Sequence, residues 1–182
     1  MKIKLIGLIG LLFSFSGYSQ VRLAKIFGDH MVIQRSQPVP VWGWSAPNEK
    51  ITVRINKQVK EAKADKNGKW QIVLDPQPAG GPYDMTVAGS DSLTLHDVLV
   101  GEVWICSGQS NMEFEVRQAM HAKEEIQQAN YPEIRQIKIP HAVSLNPKED
   151  IPQATWTVCS PETVGDYTAV GYFFAREIQK QL

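Results

Sequence analysis

Between residues 31 and 95 the sequence breaks into seven short apolar or alternating runs: Met31–Gln34, Val39–Trp44, Ile51–Ile55, Val59–Ala64, Trp70–Leu74, Tyr83–Ala88 and Leu93–Leu95. Pro, Gly, Asn and Asp fill the gaps between them. None of these runs is long enough for a packed amphipathic helix, and turn residues bound each one. So many short strands over residues 20–97 predict a small all-β, sandwich-like domain. Asn67-Gly68 suits the positive φ angles of a tight hairpin turn, and Ala79-Gly80-Gly81-Pro82 forms another connection.

From residue 98 the grammar changes. Val98 to Ile105 reads as a buried strand. Asn111 to about Ala129 places Val116, Ala119, Ala122, Ile126 and Ala129 on one helical face. Ile134 to Ile139 is a second strand, ended by Pro140, and Asn146 to Pro161 is a loop anchored by Trp156 and Val158. A last helix is expected from Tyr167 to Gln181, capped by Asp166, with Val170, Phe173, Phe174 and Ile178 facing a core. Strand, helix, strand, helix is the order of a parallel sheet covered by helices.

The first nineteen residues stand apart. Lys2 and Lys4 precede an apolar run from Leu5 to Phe15, and Gly17 and Ser19 sit where a signal peptidase needs small residues. The run is too short for a membrane anchor. The expectation is a signal peptide over residues 1–19 and a secreted or periplasmic protein. Nineteen Lys and Arg balance nineteen Asp and Glu, with no basic block or tail. That excludes nucleic acid and an anionic membrane surface as natural partners. Cys106 and Cys159 do not form a metal pattern. In an oxidising compartment they either pair as a disulfide or serve as small buried apolar residues.

Chemistry concentrates in Gly101 to Phe114, where the β-prone run enters Gly108-Gln109-Ser110-Asn111-Met112. A sharp turn between a strand and a helix lifts one serine hydroxyl clear of the backbone. Ser110 is the candidate nucleophile, and its backbone N–H a candidate oxyanion donor. Gly108 permits the tight turn, while Gln109 and Asn111 either touch substrate at the rim or brace the turn.

Several further segments appear in a telling order. Phe27-Gly28-Asp29-His30-Met31-Val32-Ile33-Gln34-Arg35 comes first, then Val39-Pro40-Val41-Trp42-Gly43-Trp44 and Gly68-Lys69-Trp70. Val103-Trp104-Ile105-Cys106-Ser107-Gly108-Gln109-Ser110-Asn111-Met112-Glu113 follows, and then Trp156, Cys159-Ser160-Pro161-Glu162-Thr163-Val164 and Ala169-Val170-Gly171-Tyr172-Phe173-Phe174-Ala175. In this order the chain resembles sialate O-acetylesterases and related carbohydrate acetylesterases of the SGNH (GDSL-type) hydrolase superfamily. The resemblance implies that residues 98–182 are the start of a flavodoxin-like α/β hydrolase domain. It implies a serine esterase that removes O-acetyl groups from sialic acid or a related carbohydrate, without a metal or cofactor. It stops before the family's Trp-Tyr-Gln-Gly-Glu-like and Asp-x-x-His-like blocks. The expectation is therefore an amino-terminal, truncated portion that lacks the catalytic histidine and is inactive alone. An acetylxylan-type polysaccharide deacetylase is the alternative substrate assignment. A non-catalytic carbohydrate-binding β module is the alternative class, in which the serine motif would be idle.

The four histidines do not complete a triad from sequence. His30 and His96 belong to turns or strand edges of the β half. His121 lies eleven residues beyond Ser110 on an expected helix, about 15 Å along its axis. His141 follows the second strand and is placed on the same rim as Ser110, as a substrate contact rather than a base. Asp29 and His30 are adjacent on an extended segment and point apart, so they form no dyad. Trp42 and Trp44 share a face, for which core or interdomain packing is a simpler explanation than stacking on a sugar.

Overall fold

A computed structural model describes residues 20–181. The expected signal peptide lies outside the described residues. The chain folds into two sheets around one core, followed by a smaller unit with its own core.

The strands of the first part are β1 (Arg22–Leu23), β2 (Val32–Gln34), β3 (Val39–Trp44), β4 (Lys50–Ile55), β5 (Gln58–Lys63), β6 (Lys69–Leu74), β7 (Gly80–Ala88) and β8 (Ser92–Gly101). One sheet has the order β1-β3-β6 and the other β2-β8-β7-β4-β5. All neighbours are antiparallel except β2 and β8. Alternation decides which side chains enter the core. Val41, Trp70, Ile72 and Leu74 face inward from the small sheet. Ile51, Val53, Met85, Val87, Val98 and Val100 meet them from the large one.

The Asn67-Gly68 turn is not a hairpin. β5 belongs to the large sheet and β6 to the small one, so the turn carries the chain between layers. Gly68 takes φ +79°, and a Cβ there would stand 2.3 Å from the Ser45 carbonyl oxygen. The Asp65 carboxylate closes the turn by accepting from the backbone N–H groups of Asn67 (2.7 Å) and Lys69 (2.9 Å).

The second part departs further from expectation. The strand expected to run to Ile105 ends at Gly101, because its partner β2 ends opposite, at Gln34. β8 also runs across the expected boundary between residues 97 and 98. Val103, Trp104 and Ile105 lie outside both sheets, Ile105 being 92% exposed. The long helix expected from Asn111 is broken into α1 (Ser110–Glu113), a 3-10 turn at Val116–Gln118 and α2 (Ala122–Gln128). Phe114 and Ala119 are extended and His121 is left-handed, which interrupts helical hydrogen bonding.

Segment 146–161, expected as a loop, holds a strand: β10 (Trp156–Cys159) pairs antiparallel with β9 (Tyr131–Ile137), which has no parallel partner among the described residues. A parallel pair needs a crossover, usually helical, and residues 138–155 form an irregular loop that turns straight back. The last helix, α3, runs Ala169–Gln179 without a side-chain cap; Asp166 lies in a preceding 3-10 turn. Its buried face is Ala169 and Tyr172, while Val170, Phe173 and Phe174 remain exposed. The second core gathers Val116, Ile134, Cys159, Val164, Tyr167 and Tyr172 around these elements.

The two parts are joined by a charged cluster. Arg135 of β9, its side chain only 5% exposed, donates to both carboxylate oxygens of Asp97, at 2.8 and 3.2 Å. His30 Nδ1 lies 2.6 Å from the same carboxylate, and Arg135 Nε donates to the Pro132 carbonyl at 2.6 Å. The Trp156 indole N–H adds a 2.7 Å bond to the Ile26 carbonyl. Hydrogen bonding to the Arg135 guanidinium is the chief force holding the Asp97 carboxyl below the usual carboxylate range.

Three tests follow from this architecture. Arg135→Met removes the partner of Asp97 and is expected to cost about 2–3 kcal/mol by chemical denaturation. Because the folded Asp97 value is depressed, its contribution is complete above the ordinary Asp value of 3.8 and fades as pH falls through the folded one. Acid unfolding of Asp97→Asn should therefore depend less on pH below about 4 than that of the parent. Proteinase K should cut first in the exposed loop 138–149 and leave the β half as the resistant core; first cleavage within residues 20–97 contradicts this packing.

Candidate functional site

After Gly101, Glu102 is held by Gln34 (3.0 Å) and Arg35 (2.5 Å) at the end of β2. The chain then runs along α3. The Trp104 ring stands edge-on to Phe174 at 5.0 Å, and Cys106 packs against Gly171. A Cβ on Gly171 would lie 3.1 Å from the Cys106 sulfur, so the missing side chain permits this approach.

At Gly108 the chain turns. Gln109 is extended in the N-cap position, and Ser110 is the first residue of α1. The Met112 N–H donates to the Gln109 carbonyl at 2.8 Å and the Phe114 N–H to the Ser110 carbonyl at 3.0 Å. The turn is fastened to the base of α3 from both sides. The Ala169 N–H donates to the Phe114 carbonyl (2.8 Å), and the Val116 N–H donates to the Tyr167 carbonyl (3.0 Å). Gly108, Gln109, Ser110 and Asn111 are all exposed. Among the described residues no hydrogen bond joins the Ser110 hydroxyl to a histidine.

His141 comes to this turn from the loop after β9. Its Nε2 lies 2.7 Å from Glu113 Oε1, three residues beyond Ser110, and its side chain is 86% exposed. The Glu115 carboxylate on the same stretch accepts from Lys138 at 2.7 Å, which holds it below its usual range. Glu113 was not singled out from sequence; its spacing of three from Ser110 on a helical turn is the signal that points to it.

The other histidines are accounted for elsewhere. His30 belongs to the Arg135–Asp97 cluster, and His96 Nδ1 lies 3.0 Å from Asp84. Asp29 accepts from the His96 backbone N–H at 2.7 Å and does not face His30 as a dyad. His121 is the left-handed residue before α2. The Cys106–Cys159 disulfide does not form: both thiols are free, Cys106 exposed on the run beside α3 and Cys159 buried in the second core. Burial pushes the Cys159 thiol up to about 11. Arg135 and Asp97, the charged pair with the least exposed cation, also escaped the sequence reading. Nothing in the run Ile134-Arg135-Gln136-Ile137-Lys138-Ile139, where three of six residues are polar, marks Arg135 apart from Gln136 and Lys138.

The fold that carries this turn, a two-sheet β unit followed by a small helical unit, matches that of a known carbohydrate acetylesterase. A crystal structure of a carbohydrate acetylesterase from Xanthomonas citri superposes with a TM-score of 0.87 at 40% sequence identity, covering 89% of this chain and 38% of that one. Sialate O-acetylesterases of Mus musculus and Homo sapiens are 31% and 30% identical over 88% of this chain. No family profile matches. The chain belongs to the sialate O-acetylesterase and carbohydrate acetylesterase family. It spans about a third of the length of the curated relatives it matches, 34% of the mouse protein and 35% of the human one.

The free thiols provide a direct check. Ellman's reagent should titrate one thiol rapidly in the native protein, Cys106, and a second only after denaturation. A native protein with no reactive thiol that releases two on reduction would restore the disulfide.

Proposed function

We propose that this chain carries the nucleophile of a serine esterase that removes O-acetyl groups from sialic acid or a related carbohydrate. The observation that supports it most is the exposed Ser110 hydroxyl, presented at the first residue of α1 by a turn fastened to α3. Family membership supplies the substrate class.

In this reading Ser110 Oγ attacks the acetyl carbonyl as a base takes its proton, and the C–O bond to the sugar breaks with that proton passed to the departing sugar oxygen. Water then cleaves the acetyl-enzyme to release acetate and restore the serine. The Ser110 backbone N–H stabilises the negative oxygen of each tetrahedral intermediate, a donor worth about 3–4 kcal/mol. Gly108 keeps the approach open, and Gln109, Asn111 and His141 lie on the rim. Among the described residues no hydrogen bond joins His141 to the Ser110 hydroxyl, so in this reading the base is a histidine of the kind the family carries in its Asp-x-x-His-like block. The reaction needs no metal or cofactor.

The finer fold assignment belongs to the same proposal. Val103, Trp104 and Ile105 are extended and apolar but unpaired, and Val170, Phe173 and Phe174 of α3 lie exposed beside them. Such a surface fits the first strand and a covering helix of an SGNH-type α/β sheet. The Xanthomonas relative is described only as a carbohydrate acetylesterase, which keeps an acetylxylan-type acceptor as the alternative substrate. Secretion or periplasmic placement rests on the leader-like residues 1–19.

By this reading the purified chain hydrolyses p-nitrophenyl acetate no faster than its Ser110→Ala variant. In a polypeptide that also supplies the histidine block, Ser110→Ala should lower kcat by about 10⁴-fold or more on O-acetylated sialic acid, with unchanged circular dichroism. Ser110-dependent turnover by the chain alone would instead assign the base to His141. Full activity in Ser110→Ala would place the nucleophile elsewhere.

A further inference from the structure

Core or interdomain packing was the simpler expectation for Trp42 and Trp44, and neither is among the buried core residues. β3 alternates, so Val41 and Gly43 are buried while Trp42 and Trp44 share the outer face of the three-stranded sheet, partly exposed. The strand register sets Trp44 between Arg22 and Lys69 and Trp42 beside Gln71. The Arg22 guanidinium lies over the Trp44 ring, 4.0 Å from its centre.

The loop before β10 borders this face, tied down by Lys69–Glu149 (2.5 Å) and Arg22–Asp150 (3.4 Å). A cavity of about 290 Å³ remains, with Trp42 and Trp44 as its apolar walls and Lys63, Gln71 and Glu149 among its polar ones. It has a neighbour. The Phe27 ring meets Trp42 edge-on at 4.8 Å, and Phe27 also lines a second cavity of about 390 Å³ at the junction of the two parts, with Trp156, Lys25, Asp29 and Gln153. Trp44, Trp42 and Phe27 thus form an aromatic track from the outer face of the sheet to the junction.

We propose that this track is a carbohydrate-binding surface that grips an oligosaccharide away from Ser110. The chemistry of the walls selects the class of ligand. A sugar ring has an apolar C–H face that lies on an aromatic ring and a rim of hydroxyls that both donate and accept. One face of Trp44 carries the Arg22 guanidinium, and the rest of the track offers aromatic surface together with amides, carboxylates and ammonium groups, which match that rim. A nucleic acid fits poorly, because Glu149 and Asp150 already occupy the Lys69 and Arg22 cations that would meet phosphate. A lipid chain fits poorly, because charged groups flank the aromatics throughout. Two adjoining cavities suit an extended ligand better than a single small molecule. The carbohydrate class draws on the proposed function, and the site deepens it: the glycan would be held by one surface while its ester is cut at another, formed by different elements.

The test is titration of the chain with 3′-sialyllactose and with xylohexaose, followed by tryptophan fluorescence and calorimetry. Saturable binding of at least one is expected, weakened tenfold or more by Trp44→Ala and by Trp42→Ala, and several-fold by Gln71→Ala. The Gln71→Ala and Lys63→Ala variants change surface side chains only and decide the matter if a tryptophan variant fails to fold. Binding of neither glycan overturns the proposal. So does binding that Trp44→Ala, Gln71→Ala and Lys63→Ala leave unchanged. The titration does not require ester cleavage, so its failure leaves the esterase reading to stand or fall by the Ser110 experiments.

Discussion

The guanidinium of Arg135 is the contact on which the arrangement of this molecule turns. It is nearly buried, and a buried cation is tolerated only where its hydrogen bonds are made. Asp97 and the carbonyls of His30 and Pro132 make them. Both His30 and Asp97 adopt positive φ, +65° and +58°, a region that Asp and His tolerate better than most residues. A turn at His30 and a bulge in β8 at Asp97 are thus shaped so that the His30 carbonyl and the Asp97 carboxylate meet on the arginine, while the His30 ring bonds the same carboxylate.

The consequences run outward from β9. Next to Arg135, the Gln136 side-chain carbonyl accepts from the Thr168 N–H at 3.1 Å, which sets the start of α3. Thr157 of β10 donates to the Gln136 backbone carbonyl, and the Tyr167 hydroxyl donates to that of Thr157. The start of α3 then holds Phe114 and Val116, and so the turn that presents Ser110. An unbroken series of hydrogen bonds therefore connects the β half to the candidate nucleophile without a shared sheet. Arg176, Glu125 and the Tyr172 hydroxyl close the far side of the second core.

The two parts differ in how fully their apolar surface is used. In the β half, alternation turns most large apolar side chains inward, with Val59 and Val73 exposed and Trp42 and Trp44 partly so on the outer faces. Around the serine turn, Trp104, Ile105, Phe114 and Phe174 remain exposed. That contrast concentrates both accessible chemistry and unpartnered surface on the same flank. It also explains why the serine motif sits on a run with strong strand propensity that forms no strand: propensity needs a neighbouring backbone to pair with, and Gln34 is the last residue of β2 to offer one.

Most of the β half was legible from sequence because its code is local. Period-two alternation and turn residues located its strands to within a few positions, and the Gly-Gln-Ser-Asn turn was legible for the same reason. Pairing partners were not. Whether Asn67-Gly68 closes a hairpin or crosses between sheets depends on where β3 lies, and whether Trp156–Cys159 forms a strand at all depends on a loop with no periodicity bringing it back beside β9. The buried face of α3 was misread because Phe and Val mark a core only when something covers them, whereas Tyr172 is buried with its hydroxyl bonded to Glu125. The approach of His141 to Glu113, the separation of Cys106 from Cys159 and the convergence of His30, Asp97 and Arg135 join residues 28 to 105 positions apart. Contacts of that range leave no periodic trace in a sequence, because they arise only once the sheets and loops have set the distances between them.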